Sequence, residues 1–205
     1  MHIAVSGNIG SGKTTLTIKL AKHYGWRAEL EAVENNPYLV DFYEDMKRWS
    51  FHLQVYFLNS RFNQISRIRE SGHSVIQDRT IYEDAYIFAA NLFKSKLIAE
   101  RDYENYLNLF HSMINYVKAP DLLIYLKADI PKLVGQIEKR GRNYENSIRI
   151  DYLKNLNAHY EEWITGYDKG KLLIIDVNEL DFVTSHEDFS SIVQRVDREM
   201  YGLFA

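Results

Sequence analysis

Two kinds of segment alternate along the chain: short, largely apolar runs, and longer stretches in which apolar residues return every three or four positions. The runs His2–Val5, Arg27–Val33, Ser74–Gln77, Leu122–Leu126 and Lys171–Val177 predict strands, and the most apolar of them point to a parallel sheet buried on both faces. Helical spacing predicts helices over Thr15–Tyr24, Lys47–Ser71, Tyr82–Phe93, Arg101–Val117, Pro131–Lys139, Ile150–Ile164 and Phe189–Tyr201, with a short one from Pro37 to Tyr43. In the longest, Phe51, Val55, Leu58, Phe62 and Ile65 lie three or four apart, and Gly72 ends it. Strands alternating with helices predict an α/β fold with a five-stranded parallel sheet flanked by helices. No repeat, low-complexity tract or Pro/Gly-rich linker interrupts the pattern, so one domain over residues 1–205 is expected.

Composition narrows the function classes. A hydrophobic content of 46% and a charged content of 26% fit a soluble globular chain. The net charge is −3 and Lys/Arg runs never exceed two residues, so neither a nucleic-acid nor a membrane partner is expected. The absence of cysteine excludes disulfides, thiolate metal sites and a cysteine nucleophile. A first strand beginning at His2 and the lack of an 18-residue apolar run predict a cytoplasmic protein. The seven histidines show no metal-ligand spacing.

Candidate chemistry begins at the first strand. Residues 7–14, GNIGSGKT, fill the Gly-x-x-x-x-Gly-Lys-Ser/Thr pattern of a phosphate-binding P-loop, between a strand and a helix as that motif requires. Gly7, Gly10 and Gly12 let backbone N–H groups turn inward around an anion, with Asn8, Ile9 and Ser11 completing the loop. Lys13 supplies charge for the β/γ-phosphates and Thr14 a hydroxyl for Mg²⁺. Ligands of open parallel sheets bind beyond the carboxyl ends of the strands, which puts Glu31 and Asp78-Arg79 beside this loop. Two carboxylates, an arginine and a P-loop suggest phosphoryl transfer to a hydroxyl. One carboxylate would act as general base, the other would sit near Mg²⁺, and the arginine would meet the transferring charge.

With these residues in place, the sequence resembles the deoxyribonucleoside kinases over nearly its whole length. GNIGSGKT is similar to that family's phosphate loop, and Glu31-Ala32-Val33 stands where the family has Glu-Pro-Val, Ala32 being a departure. The resemblance implies a 3′-hydroxyl contact for Tyr43 and base-reading roles for Gln54 and Arg61. In Asp78–Phe93, DRTIYEDAYIFAANLF, it puts Arg79 at the 5′ end, Asp84 beside Arg61 and Phe88 against the base. KRGRNYE resembles an arginine-rich lid, about residues 140–146, in which Arg140 and Arg142 would close on ATP phosphates and Glu145 would reach the 3′-hydroxyl. Gln136 stands where some members carry another lid arginine. DVNELDF resembles the loop over the ATP adenine and carries Asp176 and Asn178. The wording ENNPYL after Ala32-Val33 is closer to bacterial deoxyadenosine/deoxyguanosine kinases than to animal enzymes.

The resulting expectation is γ-phosphoryl transfer from Mg·ATP to the 5′-hydroxyl of a deoxyribonucleoside, deoxyadenosine favoured. Glu31 is the preferred base and Asp78, with Thr14, the metal side, though the two carboxylates can exchange roles. A nucleoside-monophosphate kinase would need more arginines for its substrate phosphate, and a non-catalytic nucleotide-binding subunit would be free to lose Lys13, Glu31 or Arg79. The aromatic helices Lys47–Ser71 and Tyr82–Phe93 carry more apolar surface than one side of the sheet covers, so a homodimer through them is expected.

Overall fold

The computed structural model describes residues 1–31, 33, 36–142 and 148–202. Five parallel strands, β1 (His2–Gly7), β2 (Arg27–Glu29), β3 (Val75–Asp78), β4 (Leu122–Lys127) and β5 (Lys171–Asp176), form one sheet in the order β2-β3-β1-β4-β5. The helices are α1 (Lys13–Tyr24), α2 (Leu39–Glu44), α3 (Met46–Ser71), α4 (Ile81–Glu83), α5 (Ala90–Lys94), α6 (Glu100–Ile114), α7 (Ile130–Arg140), α8 (Ile150–Thr165) and α9 (His186–Tyr201). The expected architecture is therefore present.

Strand alternation divides the core. Ile3, Val5 and Ile124 face Leu16 and Leu20 of α1 and Ile192 and Val196 of α9. Ala4, Leu123 and Tyr125 face Leu156, Tyr160 and Ile164 of α8 on the other side. A third apolar cluster joins α3, α4 and α6 through Leu58, Ile65, Ile81, Tyr106 and Phe110. Among the described residues no helix is long and apolar enough to cross a membrane.

Most element ends lie within about three residues of the pattern, and two larger differences bear on the site. The strand expected over Arg27–Val33 stops at Glu29, because its single partner β3 ends one position past the Glu29–Gln77 pair. The next carbonyl, Leu30 O, accepts instead from Gln64 Nε2 at 2.9 Å, so the edge is satisfied by a side chain of α3. Glu31 thus lies on irregular chain just beyond the strand. The continuous helix expected over Tyr82–Phe93 contains a π-helical stretch, Asp84–Ala89, between α4 and α5. The wider turn carries Asp84 and Phe88, in keeping with the occurrence of such turns at functional sites.

Candidate active site

The three central carboxyl ends converge as the sheet order requires, since β1 lies between β3 and β4 and β2 is next outward. Beyond them opens a cavity of about 270 Å³. It is lined by the polar side chains Lys13, Thr14, Glu31, Asp78, Arg79 and Asp84, by Tyr43, Gln54, Phe57, Phe88 and Tyr152, and by Arg140 and Arg142.

The phosphate loop is built by steric exclusion. A Cβ on Gly7 (φ +147°) would meet Leu126 O at 2.8 Å, and one on Gly10 (φ +87°) would meet Leu133 O at 2.6 Å. α1 begins at Lys13 with no acidic residue in its first turn, so its N-terminal dipole and N–H groups face the loop uncompensated. Lys13 Nζ donates to Asn8 O at 2.8 Å. Burial and the neighbouring Arg79 charge lower its pKa to about 7. The Asn8 side chain turns away from the loop's interior and donates to Leu153 O and Asn157 Oδ1 at 3.0 and 2.9 Å, tying the loop to α8.

Two carboxylates sit under this loop in opposite electrostatic settings. Glu31 Oε1 lies 3.0 Å from Arg61 Nη2 and 2.9 Å from Arg79 Nε. Burial pushes its carboxyl up, but the two guanidiniums and Lys13 outweigh that and hold it down at about 2. Asp78 is 1% exposed and its pKa is raised, chiefly by burial. The hydroxyl of Thr14 donates to Asp78 Oδ2 at 2.5 Å, while Asp78 Oδ1 is buried without a hydrogen-bond partner among the described residues. An orphaned carboxylate oxygen beside a hydroxyl is a fitting donor pair for a hard divalent cation.

Arg79 adopts a left-handed φ of 70°, which a non-glycine residue holds only when its surroundings dictate it. Its Nη1 donates to Gly7 O at 3.1 Å and to Tyr160 Oη at 2.6 Å, and its Cζ lies 4.6 Å over the Phe88 ring. Arg61 lies behind the cavity wall and does not line it. Its Nε pairs with Asp84 Oδ2 at 3.3 Å and its Nη1 donates to Asp78 O at 2.8 Å. Burial raises the Asp84 carboxyl to about 6 even with Arg61 beside it. Gln54 lines the cavity at 2% exposure, and its Oε1 has no hydrogen-bond partner among the described residues.

Of the expected site residues, Asp176 and Asn178 do not line the cavity. Asn178 N donates to Asp176 Oδ1 at 3.0 Å and Asp129 N to Asn178 Oδ1 at 2.9 Å, so both side chains shape the loop itself. Phe182 from that loop packs on Gly12, where a Cβ would meet its Cζ at 2.7 Å. Glu145 lies outside the described residues. Sequence reasoning missed Glu83, Tyr152, Tyr160 and Lys132, whose Nζ donates to Asn178 O and Leu180 O at 3.0 and 3.3 Å. For Glu83 a signal existed: Thr80-x-x-Glu83 spells a capping box, and both of its reciprocal bonds are present.

Comparison with known proteins agrees with this geometry. The profile described as deoxynucleoside kinase matches residues 3–201. The chain is 40% identical over 196 residues to the deoxyadenosine/deoxycytidine kinase of Bacillus subtilis, covering 95% of this chain and 90% of that one. It is 34% identical over 198 residues to the deoxyguanosine kinase of the same organism, covering 95% of each. The structure of M. mycoides deoxyadenosine kinase with bound dATP superposes with a TM-score of 0.85 at 30% identity, covering 96% of this chain and 100% of that chain. With a phosphate loop, paired carboxylates and a left-handed arginine at one sheet edge, and this similarity along nearly its whole length, the chain belongs to the deoxynucleoside kinase family.

Proposed function

We propose that the chain transfers the γ-phosphoryl group of ATP to the 5′-hydroxyl of a deoxyribonucleoside in nucleotide salvage in the cytoplasm, and that deoxyadenosine is its best substrate. The observation that carries the base preference is Gln54, a buried amide whose Oε1 lacks a donor until a ligand supplies one. Adenine and cytosine present an amino group next to a ring acceptor, which an amide can meet with two hydrogen bonds; guanine needs a shifted arrangement. Asp84, buried and paired with Arg61, puts a polar oxygen on the cavity wall beyond the base edge, where the methyl group of thymine has no hydrogen bond to offer it. Deoxyguanosine or deoxycytidine would come second and thymidine last. Names of relatives that include deoxyadenosine, deoxycytidine and deoxyguanosine kinases are compatible with a purine or cytosine pocket.

In this reading the nucleoside lies between Phe88 and the Tyr43–Gln54 side, with Glu145 reaching the 3′-hydroxyl, and its 5′-oxygen approaches Glu31. Thr14 and Asp78 would hold Mg²⁺, which would supply positive charge for the phosphates of the donor. Lys13 and the loop N–H groups bind the phosphates, Arg79 meets charge on the transferring group, and Arg140 and Arg142 fold over it while Asp176 and Asn178 shape the adenine side. Glu31, clamped on one oxygen by two arginines, orients the hydroxyl and takes its proton late, which suits the loose transition state of phosphoryl transfer. Asp78 is the alternative base, favoured by the burial that raises its pKa.

We also propose that the whole chain works as one catalytic unit and pairs as a homodimer, its two-fold formed by α3 and the Tyr82–Phe93 helices. Phe51, Val55, Phe62 and Tyr86 remain only partly buried there. A mass near the 24.1 kDa of one chain by light scattering at micromolar concentration would contradict the dimer. The function itself is tested by a phosphorylation screen of the four deoxyribonucleosides with their ribonucleoside and monophosphate counterparts. Turnover of deoxyadenosine first is expected; preferential turnover of monophosphates or of thymidine would overturn the reading.

A further inference from the structure

Glu83 has no part in the chemistry above, yet it is an ionisable side chain with 0% exposure. Such burial is costly unless every oxygen is satisfied, and here each one is. Oε2 accepts from Thr80 N at 2.8 Å and Thr80 Oγ1 at 3.2 Å; Oε1 accepts from the Tyr160 hydroxyl at 2.8 Å and lies 3.3 Å from Arg79 Nη1. Tyr160, equally buried, receives Arg79 Nη1 at 2.6 Å on the same oxygen from which it donates to Glu83. The result is a closed triangle of Arg79, Tyr160 and Glu83, with Gly7 O of the phosphate loop as a further acceptor for Nη1.

A cap alone needs only the Oε2 contacts, so the Oε1 side of this carboxylate and the tyrosine hydroxyl serve something else. They act on one nitrogen of one guanidinium, while Arg79 Nε is drawn toward Glu31. Nε lies 2.9 Å from Glu31 Oε1 without a hydrogen bond of its own among the described residues, so the contacts on Nη1 carry the orientation of the group, and Nη2 is then the nitrogen left to meet a ligand. Without the triangle, Arg79 could rotate fully onto Glu31 and form a two-pronged ion pair with it, withdrawing its charge from the transferring group.

We propose that Glu83 and Tyr160 are positioning residues for the phosphoryl-transfer step: together they hold the plane of the Arg79 guanidinium so that it is shared between Glu31 and the phosphoryl group. Because Tyr160 belongs to α8, the helix that follows the arginine-rich segment, the placement of that helix is part of what aims Arg79. The inference rests on the kinase reading above.

The test is Tyr160→Phe, which keeps the ring and its packing on Tyr125 and removes only the hydroxyl. It is made alone and in an Arg79→Lys background, with single-turnover quench kinetics so that slow variants remain measurable. Misplaced catalytic groups cost up to about 10²-fold, so the single variant should lose roughly 10-fold or more in kcat, with the KM for the nucleoside within about twofold. In the Arg79→Lys background the same change should cost less than about twofold, because the guanidinium it positions is gone. Glu83→Gln should behave likewise, provided it folds; Tyr160→Phe carries the decision if it does not. Loss of melting temperature with kcat unchanged would mark the triangle as structural only and overturn the proposal, as would an equal kcat loss in both backgrounds. An inactive wild-type enzyme would instead count against the kinase reading.

Discussion

Binding of Mg·ATP should draw a proton out of solution, and the source of the effect is Lys13. Lys13 is 6% exposed, its ammonium stands near the Arg79 charge, and its pKa is about 7 instead of 10.5. That displacement corresponds to roughly 5 kcal/mol against the charged form. Phosphates in the loop supply the missing counter-charge and return the lysine to its ordinary range, so it rebinds the proton it has shed. With a pKa near 7, uptake on binding should be about 0.9 proton per site at pH 8, about 0.5 at pH 7 and about 0.1 at pH 6. At pH 8 a terminal phosphate, with a pKa near 6, is already ionised and adds little of its own. Isothermal titration with a non-hydrolysable ATP analogue and Mg²⁺, in buffers of different ionisation heat, gives the proton count as a slope. Linkage fixes a second sign: since the unfolded lysine holds its proton up to 10.5 and the folded one does not, ligand-free stability should gain from Lys13 as pH rises from about 7 toward 10. Proton release at pH 8, a slope of zero, or the same uptake in Lys13→Met would refute the reasoning.

Glu31→Gln keeps shape but loses proton acceptance, so kcat should fall about 10²- to 10⁴-fold with little change in nucleoside KM; if Asp78→Asn shows that pattern instead, the two roles are exchanged. The same substitution should lower the melting temperature at pH 7 by leaving Arg61 and Arg79 less well paired. Because the native carboxyl titrates at about 2 against 4.5 unfolded, the gap between wild type and variant should hold above pH 4.5 and close as pH falls toward 2. Arg61→Met with Asp84→Ala should raise thymidine turnover relative to deoxyadenosine; an unchanged order of the four nucleosides in a competition assay speaks against the pocket assignment. Gly10→Ala forces a Cβ to 2.6 Å from Leu133 O at a φ of +87°, and calorimetry should find its melting temperature lower by about 5 °C or more.

Residues that act where the chain enters or leaves a strand were legible in the sequence. Lys13 and Thr14 follow β1 within a local motif, and Asp78-Arg79 ends β3, so strand order and the carboxyl-end rule suffice to bring them together. Glu31 lines the cavity although β2 stops short of it, because a few residues of irregular chain do not carry it away from the sheet edge. Gln54, Arg61, Asp84 and Phe88 are different. On helices, a side chain facing a cavity looks the same in sequence as one facing water or core, and Arg61 lies behind the cavity wall altogether, so only the family resemblance singles these four out. The π turn at Asp84–Ala89 left no periodic trace, being one slightly wider turn inside an apolar helical pattern. Tyr160 acts on a residue 81 positions away, which no local pattern encodes.

The site also explains why rate and base choice need not vary independently. Four buried or half-buried carboxylates, Glu31, Asp78, Glu83 and Asp84, surround three cations, Lys13, Arg61 and Arg79, and such a cluster stabilises the fold less than apolar packing of the same volume would. Its contacts are shared unevenly. Arg61 bridges Asp84, on the proposed base side, to Glu31, on the proposed phosphoryl side, through the adjacent Nε and Nη2 of one guanidinium, 3.3 and 3.0 Å away, and its Nη1 also holds the carbonyl of Asp78. A substitution that reshapes the base pocket at Arg61 therefore releases one of the two clamps on Glu31. The Arg61→Met and Asp84→Ala pair should widen base tolerance while lowering kcat for every nucleoside, whereas Asp84→Ala alone, which leaves Arg61 paired to Glu31, should shift the preference with a smaller loss of rate.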